Sequence, residues 1–309
     1  MGPLAPEWLR AAKVWSVRGI DGFRLIRCPF TPEAQLQLVR SALSEWVEPP
    51  SANNLATARG VSSAATADQT RLWERHVASP ADSLLSKLTW AAVGYQYQWT
   101  PRTYDVRCHS PFPRELRQLA VDLAGACGWA LRPEAAIINL YNAASTMGGH
   151  RDDAEPNQAA PIVSISLGLE GVYLLGGLTK ATPPIAVRLR SGDVVVQGGA
   201  SRGYVHGVPR VLAHSLPPAL SAGAVYTAQQ REELAPFAHW LTEHRLNINV
   251  RQVFGDEAPP IAPRGEAGGE GGMQATRPSL EAEAPDEPAR HDQERNKRPR
   301  ADQEERDPH

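Results

Sequence analysis

Between residues 245 and 251 the chain reads Arg-Leu-Asn-Ile-Asn-Val-Arg, an unbroken alternation of polar and apolar side chains. A period of two suits an extended strand, whose successive side chains point to opposite faces. Leu246, Ile248 and Val250 then face a core, while Arg245, Asn247, Asn249 and Arg251 share the other face. A polar face carrying two arginines, backed by apolar side chains, suits a strand lining an anion-filled pocket. The arginine fork makes two parallel charge-assisted hydrogen bonds to a carboxylate, so a carboxylic acid is the natural occupant.

The second informative feature is His150-Arg151-Asp152, followed by a lone His206. In an extended segment residues i and i+2 share a side, so His150 and Asp152 converge while Arg151 points away. Two histidines and one carboxylate can hold one face of an Fe(II) ion, leaving other positions for a co-substrate and oxygen. Asp153 is the rival carboxylate, but at i+3 it leaves the face shared with His150. His109, His214, His239 and His244 lie outside any strand spacing that completes the set. Each feature alone is weak, since H-x-D arises often by chance and a lone histidine is commonly a packed or surface residue. Their joint order between apolar strands is what points to a metal-dependent oxygenase of a 2-oxo dicarboxylic acid.

The rest of the chain divides into a helical approach and a strand-rich core. Thr31 and Pro32 suit a helix start, with Leu36, Val39, Leu43 and Trp46 at helical spacing. Residues 48–70 read as a loop, and Leu84, Leu85, Leu88 and Ala92 suggest a second helix leading into a strand near Tyr95. Pro113 opens a third, carrying Leu116, Leu119, Ala120 and Leu123, with Gly128 as its stop. From Ala135 the pattern turns to short β-branched runs at 136–142, 161–167, 171–175, 185–189, 193–197, 203–208 and 245–253. Short strands with turn signals argue for a sandwich or barrel, and a double-sheet jelly roll of the cupin type, a double-stranded β-helix, is the expected core. The expected organisation is 1–134 as helical approach and substrate-recognition region, 135–255 as core with an insertion at 212–244, and 256–309 as a disordered tail.

The segments Asn139-Leu140-Tyr141, Met147 to Asp152, Pro161 to Gly168, Leu174 to Leu178, Ser191 to Val194, Ser201-Arg202, His206 to Val211 and Arg245 to Val253 together resemble the AlkB-type Fe(II)/2-oxoglutarate-dependent dioxygenases, most closely the animal first-homologue subgroup. Leu88 to Trp99 and Pro111-Phe112-Pro113 extend the resemblance upstream, so that it covers roughly residues 8 to 254. It implies that His150, Asp152 and His206 bind iron, and that Asn139, Leu140, Tyr141, Arg245, Asn247 and Arg251 form the 2-oxoglutarate site. Arg245 would take the distal carboxylate. Arg251 lies three strand steps away, roughly 20 Å along a flat strand at about 3.3 Å per residue, so it should not grip the same oxygens. With dioxygen as co-reactant, the implied reaction is oxidative demethylation of a nucleobase, releasing formaldehyde, succinate and CO2. Trp73, Tyr95, Gln96 and Tyr97 align with the family's substrate-recognition segment, and Trp99 adds aromatic surface on which a base taken out of its strand could stack. Ala154 stands where some bacterial members carry a base-contacting carboxylate, so base identity cannot be copied from them.

Composition narrows the partners. Residues 1–255 hold 24 basic against 20 acidic side chains, whereas 256–309 holds 8 against 14. A mildly basic body is compatible with tRNA or single-stranded DNA, tRNA being placed slightly ahead. The tail is rich in Pro, Gly, Glu and Ala with little to bury, and its Arg295-Asn-Lys-Arg-Pro-Arg300 resembles a short nuclear-import signal. Cys28, Cys108 and Cys127 are odd in number and lack metal spacing, which fits a reducing intracellular compartment. Nucleus or cytoplasm, with mitochondrion as a third location, no membrane association and a monomeric state are expected. Two other functions compete: a 2-oxoglutarate oxygenase acting on protein side chains such as those of a histone, and a non-redox cupin-type metal-binding module.

Overall fold

The computed structural model describes residues 12–58, 70–80, 83–99, 101–221, 227–255 and 263–264. Before the core come strands β1 (Val14–Val17), β2 (Ile20–Ile26), β3 (Ala52–Asn53), β4 (Trp90–Gln98), β5 (Thr103–His109) and β6 (Phe112–Pro113). The core adds β7 (Ala135–Asn142), β8 (Met147–His150), β9 (Ile162–Gly168), β10 (Glu170–Leu175) and β11 (Ile185–Leu189). It continues with β12 (Val194–Gln197), β13 (His206–Leu212) and β14 (His244–Arg251), and β15 (Pro263–Arg264) pairs with β6. The helices are α1 (Pro32–Ser41), α2 (Asn54–Ala58), α3 (Leu72–Ala78), α4 (Arg114–Ala126) and α5 (Ala228–Trp240).

The alternating segment, β14, lies inside the larger sheet, whose order is β1-β2-β12-β9-β14-β7-β4-β3, with β5 paired to β4. Its partners are antiparallel: Arg245 stands opposite Tyr141 of β7 and Gly168 of β9, and Asn247 opposite Asn139 and Ser166. Leu246, Ile248 and Val250 are fully buried with Ile138, Leu140, Ile165 and Leu167 in the main core. Leu116, Leu119, Ala120 and Leu123 of α4, Leu36 and Val39 of α1 and Phe237 of α5 belong to the same cluster. The helices therefore cover one face of the larger sheet. A smaller sheet, in the order β11-β10-β13-β8, lies on the side of the other face. Phe23, Leu25 and Val195 of the first sheet meet Tyr173, Leu175 and Leu189 of the second in a separate buried cluster. Two antiparallel sheets with helices outside the larger one make the expected jelly roll.

Local chemistry explains the helix starts. The Thr31 hydroxyl accepts from the Ala34 amide at 3.1 Å, with Pro32 in the first turn. At α5, Thr227 and Gln230 exchange side-chain-to-backbone bonds as a capping box.

Three expectations change, the first at residues 48–70, read as a loop but carrying β3 and α2. The helix expected over Leu84–Ala92 is only a 3-10 turn, Leu84–Lys87, and the strand already begins at Trp90. Ala91, Ala92 and Val93 are buried, and a continuous apolar run of that kind fits a core strand as well as a helix. The segment before 135, expected as helical, also supplies β1 and β2 at one edge of the larger sheet and β3 and β4 at the other. The tail, apart from residues 263–264, and its import-like cluster lie outside the described residues.

Candidate metal centre and co-substrate pocket

Strands β8 and β13 pair so that His150 stands directly opposite His206, and their rings sit 4.5 Å apart. Strand β8 ends at His150, and Asp152 follows in the loop, 8% exposed. The three side chains each offer one ligand atom, all within 4.8 Å of one another. Each histidine donates Nδ1–H to a backbone carbonyl, His150 to Gly148 at 3.0 Å and His206 to Tyr204 at 3.1 Å. A carbonyl can only accept, so both rings turn Nε2 toward Asp152. Burial lowers the pKa of His206, which keeps that ring neutral and able to ligate. Asp153 turns outward and pairs with Arg102 at 2.9 Å.

Asp152 is held on its other side by a buried ion network. Arg251 Nη2 donates to Asp152 Oδ1 at 2.9 Å and Nη1 to Glu155 Oε1 at 2.6 Å. Arg202 Nη2 donates to Glu155 Oε2 at 2.7 Å, and Nη1 to the Asp152 carbonyl. Burial opposes charge on Asp152, but Arg251, then His206, His150 and Arg202, outweigh it and hold the carboxyl well below the usual range. Oδ2 is left facing His206 Nε2 at 3.7 Å. Arg251, expected in the 2-oxoglutarate site, lines the cavity but spends two of its nitrogens on carboxylates. It acts first as the partner of Asp152.

The metal-facing cavity measures about 400 Å³ and opens between the two sheets, within the usual range of about 300–1,000 Å³ for a small-molecule site. Its deep wall is the polar face of β14 with Asn139 and Tyr141 of β7. Arg245 is 1% exposed. It donates Nη2 to Ser166 Oγ at 2.8 Å and Nη1 to the Leu169 carbonyl at 3.2 Å. Burial lowers its pKa to about 10, so it stays charged at neutral pH. Gly171 of β10 makes room for it: a Cβ there would lie 3.1 Å from both Cζ and Nε of Arg245. Asn247 is held by Ser164 Oγ at 2.9 Å and the Ile165 carbonyl at 3.1 Å. Leu140 is not in this wall. Its side chain points the opposite way into the main core, because neighbours in a strand alternate. Ile137, Met147, Ser164, Tyr173, Leu189 and Gln197 also line the cavity; strand parity marks Ile137.

The residues fit an iron ion with a carboxylic co-substrate. Two imidazole nitrogens and one carboxylate oxygen form a facial donor set. Arg245 Nε and Arg251 Nε are buried without a protein partner, on side chains lining the cavity. A buried charged donor left unsatisfied is costly, and a bound acid satisfies it.

The outer wall departs from expectation. Tyr97 and Trp99 line the cavity with Arg102, Arg151 and Ala154. Trp99 is 50% exposed and meets Tyr97 edge to face at 4.9 Å. Trp73 and Tyr95, expected to face substrate, are buried. Trp73 stacks on Phe237 at 4.2 Å, and Tyr95 packs on Phe254 at 4.8 Å. Gln96 points to the other side of its strand, reaching the Pro50 carbonyl at 3.4 Å. The aromatic platform is therefore Tyr97 and Trp99.

The family model described as the 2OG-Fe(II) oxygenase superfamily matches residues 22–251. The Homo sapiens nucleic acid dioxygenase ALKBH1 is 33% identical over 274 residues, 81% of this chain and 69% of that protein. The Arabidopsis thaliana DNA N(6)-methyladenine demethylase ALKBH1A is 42% identical over 178 residues, 56% of this chain, and the match spans 51% of that protein's length. The solved structure of OsALKBH1 superposes with a TM-score of 0.54 at 19% identity, over 78% of this chain and 100% of that one, a likeness of fold.

Proposed function

The chain belongs to the 2OG-Fe(II) oxygenase superfamily, in its AlkB-type branch, and on that premise we propose that it demethylates N-methylated bases in tRNA or single-stranded DNA. The observation that carries this reading is one cavity with three kinds of wall: the His150, Asp152 and His206 ligands, the buried Arg245, and the Tyr97/Trp99 aromatics at the mouth.

His150, Asp152 and His206 would hold the iron, with Arg251 fixing which Asp152 oxygen faces it. Arg245 receives the far carboxylate of 2-oxoglutarate through its free Nε edge, while Asn139 and Tyr141 offer polar atoms along the same wall. When bound, iron and 2-oxoglutarate activate dioxygen for hydroxylation of an N-methyl group, which leaves as formaldehyde while the co-substrate leaves as succinate and CO2. Tyr97 and Trp99 stack the extruded base, and the sheets on either side bury Asp152 and His206 while His150 stays partly open to the mouth. Ala154, also in the wall, leaves space where a carboxylate would read the base. A simple metal-binding module has no use for the buried arginine.

The test is formaldehyde and succinate release from methylated tRNA, methylated single-stranded DNA and methyl-lysine peptides under one set of conditions. Release from the nucleic acids is expected, with unpaired bases favoured because they spare the cost of breaking a stack. Activity confined to the peptides overturns the nucleic-acid reading in favour of a protein substrate.

A further inference from the structure

The hairpin that carries the aromatic platform reaches the metal centre by a second route. Strand β4 runs in the larger sheet from Trp90 to Gly94, then leaves it to pair only with β5. The departure is at Gly94, whose φ of +74° is easy only for glycine, and where a Cβ would lie 2.1 Å from the Glu134 carbonyl. Beyond it, Tyr97 stands opposite Tyr104, and residues paired in this way project to the same face. Their rings are 5.4 Å apart. Tyr97 faces the cavity, while Tyr104 is 6% exposed and turns its hydroxyl into the ion network. That hydroxyl donates to Glu155 Oε1 at 3.2 Å and lies 3.5 Å from Arg251 Nη1. The same Arg251 holds Asp152 Oδ1 at 2.9 Å.

We propose that Tyr104 is a positioning residue that couples occupancy of the base-stacking hairpin to the set of the Asp152 ligand, through Glu155 and Arg251. The inference rests on the nucleic-acid reading above. Its geometric basis is that one phenol hydroxyl joins an element attached to the sheet at one end to a buried network that also holds Asp152. Glu155 has both oxygens engaged, one by Tyr104 and Arg251 and the other by Arg202. Seating a base against Tyr97 and Trp99 shifts the ribbon, Tyr104 moves with it, and the shared Arg251 carries the movement to Asp152. Coupling of this kind is reciprocal, so metal and co-substrate must also change affinity for the nucleic acid. Tyr104 therefore makes the reaction centre responsive to substrate, while the triad and Arg245 make it competent.

The test is a thermodynamic cycle that reads binding rather than turnover. The dissociation constant of a single-stranded oligonucleotide bearing one N-methylated adenine is measured with and without Co(II) and 2-oxoglutarate, for wild type and Tyr104→Phe. In wild type the loaded centre should tighten binding by about 5- to 150-fold, the usual span of coupling between two sites. In Tyr104→Phe the affinity of the unloaded protein should be unchanged and the ratio should fall toward one. The d–d spectrum of Co(II), titrated with and without the oligonucleotide, should give the same ratio from the metal side.

A Tyr104→Phe ratio equal to that of wild type overturns the proposal. So does an equal loss of affinity in the loaded and unloaded states, which would mark Tyr104 as mere packing. A wild-type ratio of one overturns the coupling while leaving the substrate reading intact, and absence of any oligonucleotide binding removes both. Should Tyr104→Phe fail to fold, Glu155→Ala removes the acceptor of that hydroxyl from the network side, and an undiminished ratio in that variant is equally decisive against the proposal.

Discussion

Asp152 gives one carboxylate oxygen to Arg251 and turns the other toward His206, whereas its neighbour Asp153 faces outward to Arg102. Asp152→Ala should therefore lower iron(II) affinity by more than the about 10- to 100-fold typical of losing an outer partner of a metal ligand. Asp153→Ala should leave it near wild type; a calorimetric titration with the two results reversed would reassign the ligand. Arg245→Lys keeps the charge and loses the planar fork. A hydrogen bond to a charged group contributes about 1.5–3 kcal/mol, so the 2-oxoglutarate requirement should rise roughly 10- to 150-fold with iron binding intact. Equal co-substrate affinity in the two proteins would refute the clamp. The space for that guanidinium is a property of Gly171, on a different strand, and no local spacing announces it.

At the level of elements, the β4–β5 hairpin presents Tyr97 and Trp99 to the cavity and hides Tyr95, while α3 buries Trp73 against Phe237. Trp99→Ala should weaken binding of a methylated oligonucleotide by roughly 5- to 150-fold, from the about 1–3 kcal/mol of a base–aromatic stack. Trp73→Ala should instead lower stability by about 3–5 kcal/mol, as loss of a buried aromatic does. A chemical denaturation curve for each variant, beside its binding isotherm, separates the two roles. Periodicity made β14 and its polar face legible, and H-x-D with a later lone histidine made the metal ligands legible, because one strand's parity or a short turn places those groups. The resemblance put Trp73, Tyr95, Gln96 and Tyr97 together at the substrate, and it could not say which of them a helix or a strand would turn inward. A bulge between Tyr95 and Tyr97 breaks the pairing and sends the two rings to different surroundings. Glu155, Arg202 and Tyr104 come from a loop, a 3-10 turn and a strand far apart in the chain, so their meeting is a consequence of tertiary packing that no spacing encodes.

For the whole molecule, the pH dependence of stability follows from histidines folded in a neutral state. Burial lowers the pKa of both His76 and His244, the latter stacked on Trp240 at 4.2 Å. A group whose folded pKa lies below its unfolded value of about 6.5 contributes stability above that pH, and the contribution is lost as pH falls through the folded pKa. Melting temperature should therefore decline as pH is lowered from 7.5 to 5, and more shallowly in His244→Asn, which can still donate to the Trp240 carbonyl. A parallel decline in both proteins would remove His244 from the account. The depressed carboxyls of Asp152 and Glu155 add a second loss at more acidic pH, beginning below about 4. The two sheets also divide the labour of the site. His150 and His206 ride on β8 and β13 of the smaller sheet, with Asp152 just beyond β8, and Arg245 rides on β14 of the larger one. The reach from ligands to guanidinium is thus set like the gap of a caliper, by how two layers seat on Phe23, Tyr173, Leu189 and Val195. A dicarboxylic acid one carbon shorter or longer would have to span that same gap, so packing between the layers, as well as the residues that touch the acid, is expected to bear on which length fits.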